Sequence, residues 1–87
     1  MVYKIEFSPN AEKEFKRLDK ITQKRVSKIV DDLEINPFPS QSKKLINSEY
    51  WRLRVGDYRV IYVIENEEVL ILIVKIGHRK DIYKKLR

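Results

Sequence analysis

Tyr50-Trp51-Arg52-Leu53-Arg54-Val55-Gly56-Asp57-Tyr58-Arg59-Val60-Ile61-Tyr62 decides the reading of this chain. Apolar and polar residues alternate on either side of Gly56-Asp57, a dipeptide suited to a two-residue turn, so the stretch predicts a β-hairpin. With that turn Val55 faces Tyr58, Arg54 faces Arg59, Leu53 faces Val60 and Arg52 faces Ile61. Trp51, Leu53 and Val55 then share one face with Tyr58, Val60 and Tyr62, an apolar surface fit to receive helices. Arg52, Arg54 and Arg59 emerge together on the other face. Like charges directly opposite one another repel, and no acid alternates with them, because Asp57 is in the turn and Glu49 precedes the strand. The bland reading is a solvated face whose guanidiniums fan apart or pair with acids such as Glu65 or Asp81. The sharper one is an anion-binding face: guanidinium stays charged and donates in a planar fork that matches phosphate oxygens.

Downstream of the hairpin a polar loop, Glu65 to Glu68, leads into Val69-Leu70-Ile71-Leu72-Ile73-Val74, apolar at every position and extending to Ile76. Such a run predicts a central strand covered on both faces, with the first strand beside it. Upstream, Tyr3, Ile5 and Phe7 alternate with Lys4 and Glu6, predicting that first strand. Ser8 offers a cap and Pro9 a first helical residue for a helix to about Leu18. Thr22 is the expected cap of a second helix, whose Val26, Ile29, Val30 and Leu33 form one stripe and which Pro37 ends. The break at Asp19-Lys20-Ile21 predicts an antiparallel helical hairpin. Residues 37–42 read as a loop, leading to Lys43-Lys44-Leu45-Ile46, and Asp81 is a plausible cap for a short closing helix through Tyr83 and Leu86. The expected fold is α+β: an N-terminal strand, an α-helical hairpin, a three-stranded antiparallel meander and a short C-terminal helix, with the helices on one side of the sheet. Residues 1–87 are expected to form one domain.

The 87 residues leave little room for a second core or an enclosed cofactor, so the function is expected on the surface, with no cofactor and no metal. Cysteine is absent, which excludes a disulfide framework, a thiolate nucleophile and a Cys-based zinc site. The N-terminus carries charges where a signal peptide would be apolar, and the longest apolar run is too short to span a bilayer, so the chain reads as soluble, unprocessed and cytoplasmic, with no membrane partner. Net charge is +6, and it is uneven. Residues 1–36 hold 8 basic and 7 acidic side chains, a net +1, whereas residues 37–87 hold 11 and 6, a net +5. A basic half of this kind suits nucleic acid.

Gly77-His78-Arg79 closes the last strand, where glycine allows close approach of backbone or ligand. Arg79 is expected at the rim of the arginine face. His78, the single histidine, is either a proton carrier or a plain hydrogen-bonding residue. Tyr83, one helical turn beyond Arg79, either packs on the sheet or stacks on a base.

The hairpin stretch, followed in order by Ile76-Gly77-His78-Arg79-Lys80-Asp81-Ile82-Tyr83, resembles the RelE/ParE superfamily of toxins over essentially the whole chain. The resemblance to RelE-type members implies a ribosome-dependent endoribonuclease, an mRNA interferase that cuts messenger in the A site by attack of the ribose 2′-hydroxyl on phosphate without metal. It implies a cognate acidic, RelB-like antitoxin, with the toxin monomeric alone and oligomeric only with that partner. It implies catalytic roles for Arg52, Arg59, Arg79 and Tyr83, with Arg59 on the phosphate backbone, Arg79 on the transition state and Tyr83 on the target nucleotide. Arg54, Lys43, Lys44, His78 and Tyr50 are the expected substrate-binding residues. One departure stands out: the best-known RelE proteins carry a general-base lysine two positions before the residue matched by Arg52, and Tyr50 stands there instead. A phenol, with an ordinary pKa of about 10, is a poor base at neutral pH unless cations flank it. The base is thus open among Tyr50, Tyr83, His78, an arginine-bound water, and Lys43 or Lys44. The alternatives in function are a ParE-like toxin that poisons DNA gyrase and a catalytically silent RNA-binding module.

Overall fold

The structure is a computed structural model and describes residues 2–82. Seven elements follow one another: β1 (Lys4–Phe7), α1 (Pro9–Lys16), α2 (Lys20–Asp32), β2 (Ser42–Lys44), β3 (Trp51–Val55), β4 (Tyr58–Glu65) and β5 (Leu70–His78). The five strands form one mixed sheet in the order β1-β5-β4-β3-β2, with β1 parallel to β5 and the other pairs antiparallel. The α+β architecture is the expected one, with one strand added. Among the described residues no helix is long and apolar enough to cross a membrane. The expected C-terminal helix lies largely outside the described residues.

Both helices begin on side-chain caps. Ser8 Oγ accepts the Ala11 N–H at 3.1 Å and Pro9 opens the first turn of α1. The cap of α2 is Asp19, not Thr22. Its carboxylate accepts the Thr22 hydroxyl at 2.6 Å and the Thr22 N–H at 3.3 Å, so the helix starts at Lys20, three residues earlier than expected. Those bonds hold the Asp19 carboxyl below its ordinary value. Thr22 is a plausible cap by residue type, but Asp19 accepts from Thr22 itself and carries a charge that also suits the helix N-terminus.

The helices lie on the face made by Leu53, Val55, Val60, Tyr62, Ile71, Ile73 and Ile76, against which Ala11, Val26, Val30 and Leu33 are buried. An irregularity in β5 makes that face continuous. Ile61 pairs with Lys75 but Tyr62 with Ile73, so Val74 is an extra residue. Without this bulge strict alternation would put Ile76 on the opposite side from Ile73. Tyr62 is wholly buried; burial pushes its phenol above the ordinary value, and its hydroxyl donates to the Pro37 carbonyl at 2.8 Å. Trp51 stacks on Tyr62, and Phe38 meets Trp51 at a tilt of 60°.

β1 stops at Phe7, opposite Ile73, and leaves the next residues of β5 at an open edge. Side chains close it. Ser8 Oγ donates to the Val74 carbonyl, and Glu14 Oε1 accepts the Ile76 N–H at 2.8 Å while Oε2 lies 3.7 Å from Lys75 Nζ. The start of β5 also departs from expectation: Val69 has φ +52° and stands outside the strand. A β-branched residue there is strained, but its carbonyl accepts the Lys4 N–H at 2.8 Å and so starts the β1–β5 pairing. The expectation that the apolar run is covered on both faces does not hold. Leu70 and Leu72 are half-buried on the side the helices leave open.

Candidate functional site

The hairpin register is the one that alternation predicted: Arg54 opposite Arg59, Leu53 opposite Val60, Arg52 opposite Ile61. Gly56, at φ +59°, supplies the left-handed conformation of the turn. A Cβ at Gly56 would stand 3.1 Å from the Arg25 guanidinium of α2, so the position is tight as well as left-handed.

Leu53 is fully buried while Arg52 and Arg54 project from the helix-free face, where Arg59 joins them from β4. Among the described residues no ion pair joins any of the three to a carboxylate. Arg52 is half-buried, and its Nε is buried without an acceptor. A buried donor left unmade costs about 1–3 kcal/mol, more when charged, so Arg52 is the one arginine of the three with such a donor among the described residues. Arg59 is held differently. Its Nη1 donates to the carbonyls of Gly56 and Tyr58, each at 2.9 Å, which folds the side chain back over the turn and leaves its remaining donors for a ligand.

The same turn fixes Arg79. Its backbone N–H donates to the Asp57 carbonyl at 2.8 Å, and its Nε lies 3.9 Å from Asp57 Oδ1, with both side chains largely exposed. Gly56-Asp57 thus holds one arginine through each residue. Sequence reasoning treated Asp57 only as a turn former. The signal available was an acid at the tip of a hairpin beside an otherwise basic face.

Gly77 lies opposite Arg59, and a Cβ there would come within 3.2 Å of Ile82 Cδ1. Glycine lets residues 79–82 fold onto the helix-free face, where Ile82 is buried apart from the main core. Ile61, which faces the same way, is also buried outside that core.

The expected substrate-binding residues divide between the two faces. Lys43 is directly opposite Arg52 and so lies on the arginine face. Residues 37–42 read as a loop, yet Ser42–Lys44 form an edge strand, β2; three residues without apolar alternation give a weak sequence signal, and their pairing with β3 is what makes them a strand. Tyr50 continues the alternation of Arg52 and Arg54, is half-buried, and its carbonyl accepts the Leu45 N–H at 2.9 Å. Lys44 pairs with Trp51 and lines a groove with Phe38, Glu49 and Ile64 on the helix side. His78 pairs with Tyr58, also toward the helix side; the two rings meet edge to face at 5.6 Å, and His78 Nδ1 accepts the Lys80 N–H. Tyr83 lies outside the described residues. Among the described residues no cluster of three or more histidines and carboxylates forms.

Residues 5–83 match the family model of the ParE toxin of type II toxin–antitoxin systems. The RelE1 protein of Methanocaldococcus jannaschii is 32% identical over 88 residues, spanning 97% of this chain and 98% of that protein. The Pyrococcus horikoshii RelE–RelB complex contains a chain 30% identical to this one, with a TM-score of 0.80 and coverage of 91% of this chain and 97% of that one. The RelBE2 toxin–antitoxin complex of Mycobacterium tuberculosis gives 25% identity and a TM-score of 0.82, over 93% and 95% of the two chains.

Proposed function

This chain belongs to the RelE/ParE superfamily and is a RelE-like toxin of a toxin–antitoxin pair; from that premise we propose that it is an endoribonuclease acting on messenger RNA in the ribosomal A site. The observation that carries the reading is the row of Arg52, Arg54 and Arg59 on the face opposite the two helices, free of ion pairs among the described residues, with Arg79 at its rim. Such a face supplies what metal-free phosphoryl transfer asks of a protein. Arg59, steadied by the turn carbonyls, holds the phosphate, and Arg79 stabilises the charge that grows on the phosphoryl oxygens in the transition state. Arg52, Arg54 and Lys43 extend the binding row, and Tyr83 stacks on the target base. Lys44 and His78 lie on the helix side and stand outside this row.

An acidic RelB-like segment is the proposed partner, since the P. horikoshii and M. tuberculosis relatives are toxin–antitoxin complexes and this chain is basic. The ParE-type reading has its own support in the matched family model. Programmed ribosomes incubated with the full chain distinguish the two when messenger ends are mapped by primer extension. New ends within the A-site codon are expected. Intact messenger together with inhibition of DNA gyrase overturns the ribonuclease reading in favour of the ParE-type one.

A further inference from the structure

Resting on the ribonuclease reading, we propose that His78 is a positioning residue: it caps the turn that carries Arg79 and so fixes where that guanidinium stands at the rim of the arginine face. A guanidinium stabilises charge growing on a phosphoryl group best when it already stands where the charge appears, because ordering it during the reaction subtracts from the gain. Arg52, Arg54 and Arg59 stand on strands with a neighbour on each side. Arg79 does not. β5 ends at His78, so Arg79 is the first residue beyond the sheet. Its Nε comes only within 3.9 Å of Asp57 Oδ1, with both side chains largely exposed, a contact too weak to orient it alone.

The backbone supplies the rest, and most of it converges on His78. The Arg79 N–H donates to the Asp57 carbonyl at 2.8 Å. The next three N–H groups all donate to His78: that of Lys80 to the ring Nδ1 at 3.2 Å, and those of Asp81 and Ile82 to the main-chain carbonyl at 2.9 and 3.0 Å. This is the pattern of a helix N-cap, in which the cap carbonyl opens the turn and a side-chain acceptor takes the N–H two residues on. An imidazole can fill that place because Nδ1 is separated from Cα by the same number of bonds as the Oδ1 of asparagine, a residue strongly preferred there. Accepting through Nδ1 leaves the ring proton on Nε2.

Both ends of the turn are anchored. His78 lies opposite Tyr58 on the helix side, half-buried, and the two rings meet edge to face at 5.6 Å. At the other end Ile82 is buried, and a Cβ on Gly77 would stand 3.2 Å from its Cδ1. Arg79 sits between these anchors, tied to the hairpin turn through Asp57. His78 faces the helices while the guanidinium it places serves the opposite face, so it acts only through Arg79.

The test is single-turnover cleavage of messenger on saturating programmed ribosomes by the wild-type chain, His78→Phe, His78→Asn, Arg79→Ala and His78→Phe combined with Arg79→Ala, with melting temperatures compared. His78→Phe keeps a ring against Tyr58 and removes the acceptor. It is expected to bind programmed ribosomes within about threefold of the wild type and, once bound, to cleave about 10- to 30-fold more slowly. His78→Asn gives up the ring and keeps the acceptor, and is expected to cleave within about threefold of the wild type. Asparagine carries no proton, so that activity also separates capping from proton transfer. In the Arg79→Ala background His78→Phe is expected to cost no further rate, as befits a residue acting through Arg79. A His78→Phe variant that cleaves like the wild type overturns the assignment and leaves the ribonuclease reading standing. So does a His78→Asn variant as slow as His78→Phe, or a full further loss in the combined variant. Absence of A-site cleavage by the wild type overturns both proposals.

Discussion

The two faces of the β3–β4 hairpin are built from alternate residues of the same ten positions, and they divide the labour of the molecule. Leu53, Val55, Val60 and Tyr62 point into the helices and are buried; Arg52, Arg54 and Arg59 point the other way, away from α1 and α2. On the covered face every residue gains by leaving water. On the open face the close approach of Arg54 to Arg59 is a cost, tolerated because the pleat is fixed by the other side. The difference teaches that core burial and the proposed anion-binding face can be altered separately along a single strand.

Arg79→Ala breaks the open face most severely. Its side chain is more than half exposed and its one ion-pair contact is long, so the fold should melt at the wild-type temperature, while A-site cleavage falls by about 100- to 1,000-fold. Unchanged cleavage by a folded variant would remove Arg79 from the site. Leu53→Ala attacks the covered face. Loss of a wholly buried side chain is expected to cost about 3 kcal/mol, read as a lower denaturation midpoint at unchanged slope. Arg54→Gln has the smallest effect and sharpens the contrast most. Removing one of two opposed guanidiniums is expected to leave stability unchanged or raised by a few tenths of a kcal/mol, in low salt more than in high, while binding to programmed ribosomes weakens. A marked loss of stability would mean that Arg54 is structural.

Much of this was legible in the chain. Alternation about Gly56-Asp57 predicts both the pairing and its register, because a two-residue turn leaves one register that buries a whole face. The convergence of Arg52, Arg54 and Arg59 follows from that register alone. Ser8-Pro9 announces the first helix for an equally local reason. What escaped was non-local. The bulge at Val74, which turns Ile76 into the core, is invisible in a run where every residue is apolar. Lys43 looked like part of a loop because three residues carry no periodicity, and only pairing with β3 sets it beside Arg52. His78 looked available until pairing with Tyr58 placed it on the other side of the sheet.

By itself, then, the sequence determined the elements whose cause is local: the capped first helix, the hairpin and its register, the charge on one face and the resemblance those residues carry. Tertiary structure alone decided which basic residues outside the hairpin share that face, because the side a residue occupies in a sheet depends on strands, edges and bulges contributed from elsewhere in the chain. The arginines were legible because they lie within one hairpin. Lys43 was not, because its partner is nine residues away across an edge that no local pattern announces.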